Sequence, residues 1–259
     1  MRIFDSGYSN DFDGPGTRLV FYLKGCNFRC DWCGAPESLS AEPQTLHYPE
    51  RTVIAGRDLS PEAVRDKAVA ARDFISGVTF GGGEPTLQSA ELLTALALLR
   101  EAGIHTALES NASTPAYREA VLAADWIFSD LKTANEQMFQ TKIHPGPVRL
   151  EQVFDNLRFA AEHKPDFVLR IPVISGVNDI PEEQAALLEV CRDLQARRPY
   201  GPLRVQLLRQ HHIALPKYRA LGVDYPCEGA TPPPRELLEH FAALLNENKM
   251  QATLFGWYL

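Results

Sequence analysis

Short apolar runs rich in β-branched and aromatic residues recur at positions 18–23, 78–80, 105–108, 126–128, 167–169 and 204–208. Runs of that length and composition predict buried strands. Helical patterns lie between them. Ser60 as N-cap and Pro61 at the first helical position start a predicted helix reaching about Phe74. Residues 88–102 carry Leu92, Leu93, Leu96 and Leu99 on one face, and a last helix over 235–248 precedes a short strand at 251–255. Strands alternating with helices predict a parallel α/β architecture.

Each apolar run ends in polar residues. Glu109-Ser110-Asn111 follow the third, Ser129-Asp130-Leu131-Lys132 the fourth, Arg170 the fifth and Arg209-Gln210-His211-His212 the sixth. Parallel barrels place their sites at the C-terminal ends of strands. Singly, each group reads equally well as a solvated loop; together they predict one site. The second run empties into Gly81-Gly82-Gly83-Glu84-Pro85. Glycines there let a ligand approach the backbone, although a flexible turn has the same composition. Asp13-Gly14-Pro15-Gly16, before the first run, is turn chemistry.

The first run delivers Cys26, Cys30 and Cys33 in a C-x3-C-x2-C pattern after the turn residue Gly25. Three thiols on one loop predict a soft-metal site. A closed structural zinc site needs four protein ligands, and the remaining cysteines, Cys191 and Cys227, are distant in sequence. A four-iron cluster held by three thiolates, with one iron open to another ligand, fits the spacing better. A zinc site completed by a remote histidine and three merely buried thiols remain alternatives. Phe28 and Trp32, between the thiols, would shield such a centre.

Composition narrows the setting. With 259 residues the chain can bury a full core without disulfides. A net charge of −7 argues against broad nucleic-acid binding. The start of the chain has no apolar signal-like region, and no apolar run is long enough to span a bilayer. Clustered thiols suit a reducing compartment, so a cytoplasmic protein with no nucleic-acid or membrane partner is expected.

The three cysteines followed by Gly82-Gly83-Glu84 resemble the radical S-adenosylmethionine (radical SAM) superfamily. With Asp13-Gly14-Pro15-Gly16, Asp130-x-Lys132 and His211, the chain is similar to its glycyl-radical-enzyme activating enzymes over residues 13–255. That resemblance implies a partial (β/α)6 TIM-like barrel in a single domain. No ferredoxin-like insert is expected, since residues 34–80 contain no cysteine. It implies one 4Fe-4S cluster on Cys26, Cys30 and Cys33, with S-adenosylmethionine on the open iron. The cofactor would lie against Gly82, Gly83, Glu84, Ser110, Asp130, Lys132, Val173 and His211. Glu109, Ser110 and Asp130 match positions that hold Na+ or K+.

The implied reaction abstracts hydrogen from a backbone glycine of a partner glycyl radical enzyme, with flavodoxin or ferredoxin as electron donor. Asp13, Gly14, Gly34, Arg170 and Arg209 would line the partner cleft, and Lys132 and Arg170 are the catalytic candidates. The chain also departs from the family. Gly34-Ala35 stand where His-Asn is common, and Arg209-Gln210 where Pro-Tyr precedes the histidine. A radical enzyme with its own small-molecule or peptide substrate is therefore the alternative expectation.

Overall fold

In the computed structural model, which describes residues 1–255, every apolar run named above becomes a strand of one sheet. Eleven strands occur among the described residues: β1 (Arg2–Asn10), β2 (Thr17–Leu23), β3 (Gln44–Tyr48), β4 (Arg51–Ala55), β5 (Arg57–Asp58), β6 (Gly77–Gly82), β7 (Thr106–Ser110), β8 (Trp126–Asp130), β9 (Phe167–Val173), β10 (Arg204–Arg209) and β11 (Gln251–Phe255). Nine form a sheet in the order β11-β10-β9-β8-β7-β6-β2-β1-β5. From β2 to β11 every neighbouring pair is parallel. β1 and β5 add an antiparallel margin. Among the described residues the two ends of the sheet do not pair with each other. The fold is thus a partial TIM-like barrel, mostly parallel.

The helices are α1 (Pro61–Ala70), α2 (Ser89–Glu101), α3 (Tyr117–Ala123), the single-turn α4 (Glu136–Met138), α5 (Leu150–His163), α6 (Pro181–Arg197), α7 (Leu215–Leu221) and α8 (Arg235–Glu247). Ser60 caps α1 as its sequence indicates, its side chain accepting from the Ala63 backbone N–H. That helix ends at Ala70 instead of near Phe74; residues 71–74 form turns, and the Phe74 ring packs edge-on against Tyr8 at 5.2 Å.

Strand side chains alternate between two faces. One face packs Val78, Phe80, Leu108, Ile127, Leu169 and Leu207 with Leu92, Leu96, Leu157, Leu187 and Leu238 of the helices in the main core. The opposite face carries the small cluster Ala107, Phe128 and Val168, and with it most of the polar strand residues. The loop 11–16 folds onto this inner face. Asp13 O accepts from Thr79 Oγ1 at 2.6 Å, Phe12 O accepts from Arg170, and the Phe12 ring lies 5.3 Å from Phe255. One turn thereby links the β2 margin to β9 and β11 and draws the open sheet around.

β1, the β3–β4 hairpin and α7 have no counterpart among the sequence-derived elements. β1 is a mixed, half-exposed strand whose residues pair with β2 from Ile3↔Leu23 to Asn10↔Thr17. β4 is exposed at four of its five residues, so neither shows a buried-strand pattern.

Candidate active site

The cysteine loop leaves β2 through Gly25, whose φ of +87° suits a residue without a Cβ. Gly25 N–H donates to Ser38 O at 2.8 Å, and Cys33 N–H to Cys30 O at 3.0 Å. A distant segment braces the far side. Arg29 N–H reaches Ile143 O at 2.7 Å, Asp31 N–H reaches Lys142 O at 3.0 Å, and His144 Nδ1 bonds Asn27 O at 2.7 Å. Phe28 meets Phe139 edge-on at 5.4 Å. Residues 139–144 carry no recognisable motif, and the sequence gives no sign of this role.

Cys26, Cys30 and Cys33 are free thiols, and all three line a cavity of about 280 Å³. Glu109, Ser110, Asn111, Asp130, Lys132 and Arg170 complete its polar wall, with Gly34, Gly82, Gly83, Trp32 and Phe128 around them. Residues from β6, β7, β8, β9 and β10 thus meet the loop that follows β2 on the inner face of the parallel strands. Burial pushes the Cys26 thiol up to about 12, with the Glu84 charge adding to it, and raises Cys30 and Cys33 too. Bare thiolates are therefore disfavoured here, and iron binding is what would deprotonate them. No fourth cysteine and no histidine lies among the cavity-lining residues. Among the described residues no three Cys, His, Asp or Glu side chains converge to hold a single metal ion. Three spread soft donors and no fourth ligand fit a multi-iron cluster with an open iron, and fit a tetrahedral zinc site poorly.

Two acid–base side-chain pairs stand in the wall. Lys132 Nζ lies 2.7 Å from Asp130 Oδ2. Burial alone would lower Lys132, but the Asp130 carboxylate outweighs it and raises the ammonium above its ordinary value. Arg170 Nη1 lies 2.6 Å from Glu109 Oε1. Burial raises the Glu109 carboxyl to about 8; Arg170 opposes the rise and Asp13 adds to it.

Several expected residues take positions that their sequence context does not reveal. Glu84 is fully buried and is not part of the cavity wall. Its carboxylate accepts from Thr86 N–H at 3.1 Å, Ser110 Oγ at 2.8 Å and Asn111 N–H at 2.7 Å, fastening the β6 exit to the β7 exit. Val173 points the other way from Arg170, into the main core, because an odd separation along a strand reverses the face. Pro172 beside it faces the site instead. Asp13 and Gly14 lie in the inner loop, outside the cavity wall, with Gly14 packed over Arg18. Glu109, Ser110 and Asp130 form no ready cation cage. Glu109 is held by Arg170, Ser110 by Glu84 and Asp130 by Lys132, so a cation would have to displace these partners. Gly34 lines both this cavity and a smaller one beside it, which His211 and Arg209 also line.

Asn111 is a residue that sequence reasoning left without a role. Its Nδ2 donates to Asn27 Oδ1 at 3.1 Å and lies 3.9 Å from Cys26 Sγ, where it can tune a sulfur-bound cluster.

The family model of the Radical SAM superfamily matches residues 20–188, and the chain belongs to that superfamily. Superfamily membership implies a 4Fe-4S cluster and S-adenosylmethionine. Over 245 residues the chain is 31% identical to the pyruvate formate-lyase-activating enzyme of Streptococcus mutans, covering 90% of this chain and 86% of that protein. It is 27% identical to the choline trimethylamine-lyase activating enzyme of Oleidesulfovibrio alaskensis, covering 88% and 89%. Within the superfamily it therefore falls among the glycyl-radical-enzyme activating enzymes. A solved radical SAM methyltransferase from Sphaerobacter thermophilus shares the fold, with a TM-score of 0.63 at 15% identity, covering 92% of this chain and 66% of that one. Among the described residues no helix is long and apolar enough to cross a membrane.

Proposed function

We propose that this chain is an activase that removes a hydrogen atom from a backbone glycine of a partner enzyme. One observation carries the reading: three thiols and two partly buried acid–base pairs surround one cavity on the side of a sheet whose two margins do not pair among the described residues. Bound there, a reduced 4Fe-4S cluster and S-adenosylmethionine supply one-electron cleavage of a sulfonium and, with it, a radical able to take hydrogen.

The chain's own contribution is placement. Cys26, Cys30 and Cys33 would hold the cluster. The Gly82 and Gly83 backbone, Ser110, Asp130, Lys132 and His211 would hold the nucleotide, with Glu84 supporting them from behind. Arg170, already tied to Glu109 and to the loop that carries Asp13 and Gly14, would hold the incoming peptide, alongside Gly34 and Arg209. Bringing two reacting carbons into contact removes a large entropic barrier. An unclosed sheet leaves a side through which a partner loop can enter, and the closed state would then exclude water.

Relatives of comparable identity are named for different partners, a pyruvate formate-lyase and a choline trimethylamine-lyase. The partner class is accordingly a glycyl radical lyase, with flavodoxin or ferredoxin as the electron donor. Anaerobic electron paramagnetic resonance tests the proposal. A glycine-centred doublet on a co-purifying large protein supports it. Cofactor turnover that needs no partner protein supports the small-molecule alternative, and absence of any cluster signal sinks both.

A further inference from the structure

Glu37 is the fourth residue after Cys33 and lies in the short 3-10 turn Pro36–Ser38 that follows the cysteine loop. It is buried, only 5% exposed. Lys217 of α7 places its Nζ 2.5 Å from Glu37 Oε1, joining positions 180 residues apart. Lys24, fully buried just before the loop, donates to the Glu37 main-chain carbonyl, so the turn is gripped from two sides. The next residue of α7, Tyr218, donates from its hydroxyl to Cys33 O at 3.2 Å. α7 thus holds the cysteine loop from behind, since none of Glu37, Lys217 and Tyr218 lines the thiol cavity.

Stability is a poor reason for this pair. Taking a carboxylate out of water is costly, and a single ion pair seldom repays it. The return is smaller still here, because Glu37 Oε2 is buried without a hydrogen-bond partner among the described residues. What the pair does deliver is a fixed field at Cys33. Burial raises that thiol above its ordinary value, the Glu37 charge adds to the rise, and the Lys217 charge opposes it. The same two charges act on a cluster bound to that sulfur. The potential of an iron–sulfur cluster follows the charge around it: a nearby anion favours the oxidised state and a nearby cation the reduced one.

We propose that Glu37 and Lys217 are positioning residues for electron uptake, a charge pair behind Cys33 whose two members set the reduction potential of the cluster in opposite senses. The assignment needs the cluster that superfamily membership implies. It depends neither on the partner nor on the activase role.

A redox titration of the anaerobically reconstituted protein, followed by electron paramagnetic resonance without S-adenosylmethionine or partner, reads the potential directly. Iron and sulfide per chain provide the loading control. Lys217→Met should shift the midpoint to a lower potential and Glu37→Gln to a higher one, and the double variant should return close to the wild type. A loosened loop would instead admit water and move both single variants the same way. Lys217→Arg, which keeps the charge, should hold the wild-type potential; set beside Lys217→Met, it carries the test if Glu37→Gln loses iron. Single-variant shifts of the same sign, or equal potentials in Lys217→Met and Lys217→Arg, overturn the inference. With no partner in the experiment, such a failure leaves the activase reading intact, and a partner that acquires no radical leaves the potentials standing.

Discussion

Arg170 and Glu109 face each other across the interior of the barrel, two strands apart, with 2.6 Å between Nη1 and Oε1. The same guanidinium lies 3.9 Å over the Phe128 ring and donates to the Phe12 carbonyl. Arg170 thus ties β7, β8, β9 and the inner loop into one unit. Its charge opposes the rise that burial and Asp13 impose on the Glu109 carboxyl.

This pair has a pH consequence. The Glu109 carboxyl is raised from 4.5 to about 8 in the folded chain, chiefly by burial. Between those values the folded state retains a proton that the unfolded state has released. Stability from this group therefore declines as pH rises through that window, then levels off above it. Glu109→Gln should remove this part of the slope, so urea unfolding at about pH 5.5 and about pH 8 should differ less in the variant than in the wild type.

Cys30→Ala should abolish the cluster, read as loss of iron and sulfide per chain after anaerobic reconstitution. Cys191→Ala is the matched control. Cys191 is fully buried in the main core, far from the cavity. That variant should keep its iron and lose about 1–2 kcal/mol of stability from the small void it leaves.

Asp130→Ala should retain iron and weaken S-adenosylmethionine binding. It strips Lys132 of its 2.7 Å partner and removes an acceptor from the cavity wall. Hydrogen bonds to charged groups contribute about 1.5–3 kcal/mol, so an increase in Kd of roughly ten- to hundredfold is expected. Equilibrium binding under anaerobic conditions measures it, and unchanged affinity would remove Asp130 from the site.

Gly83→Ala should be severely destabilising, because a Cβ there would come within 2.2 Å of the Gly25 carbonyl oxygen. Gly103→Ala is the contrast: its φ is +69°, but nothing lies within 4 Å of the added methyl. Backbone strain alone should cost about 1 kcal/mol there. Thermal unfolding of the two variants separates steric from conformational need.

Glu84→Ala should leave four protein donors without their common acceptor. A loss of about 3 kcal/mol or more is expected, since each unsatisfied buried donor carries a penalty of about 1–3 kcal/mol. Chemical denaturation checks this value, and iron binding should weaken in parallel as the β7 exit shifts.

The strands, the cap of α1 and the three-thiol loop were legible in the sequence because each is a local property. An apolar run of five residues is a strand wherever it packs, and C-x3-C-x2-C brings three thiols together through one turn. Glu109 and Asp130, at the ends of β7 and β8, were legible as strand exits because parallel strands deliver their ends to one side. Arg170, expected after its strand, sits instead in the middle of β9 and reaches the site from its inward face. What only the tertiary structure decided was which of those polar groups face ligand and which face protein. Glu84 and Lys132 carry opposite charges at similar strand exits, yet one is sealed behind the wall and the other lines the cavity. Val173 and Pro172 differ by a single residue and point to opposite faces. The bracing of the cysteine loop by residues 139–144 and the pairing of Arg170 with Glu109 join positions dozens of residues apart. Such contacts depend on chain closure and packing, which no local pattern encodes, so sequence alone fixed the chemistry on offer and the fold fixed its geometry.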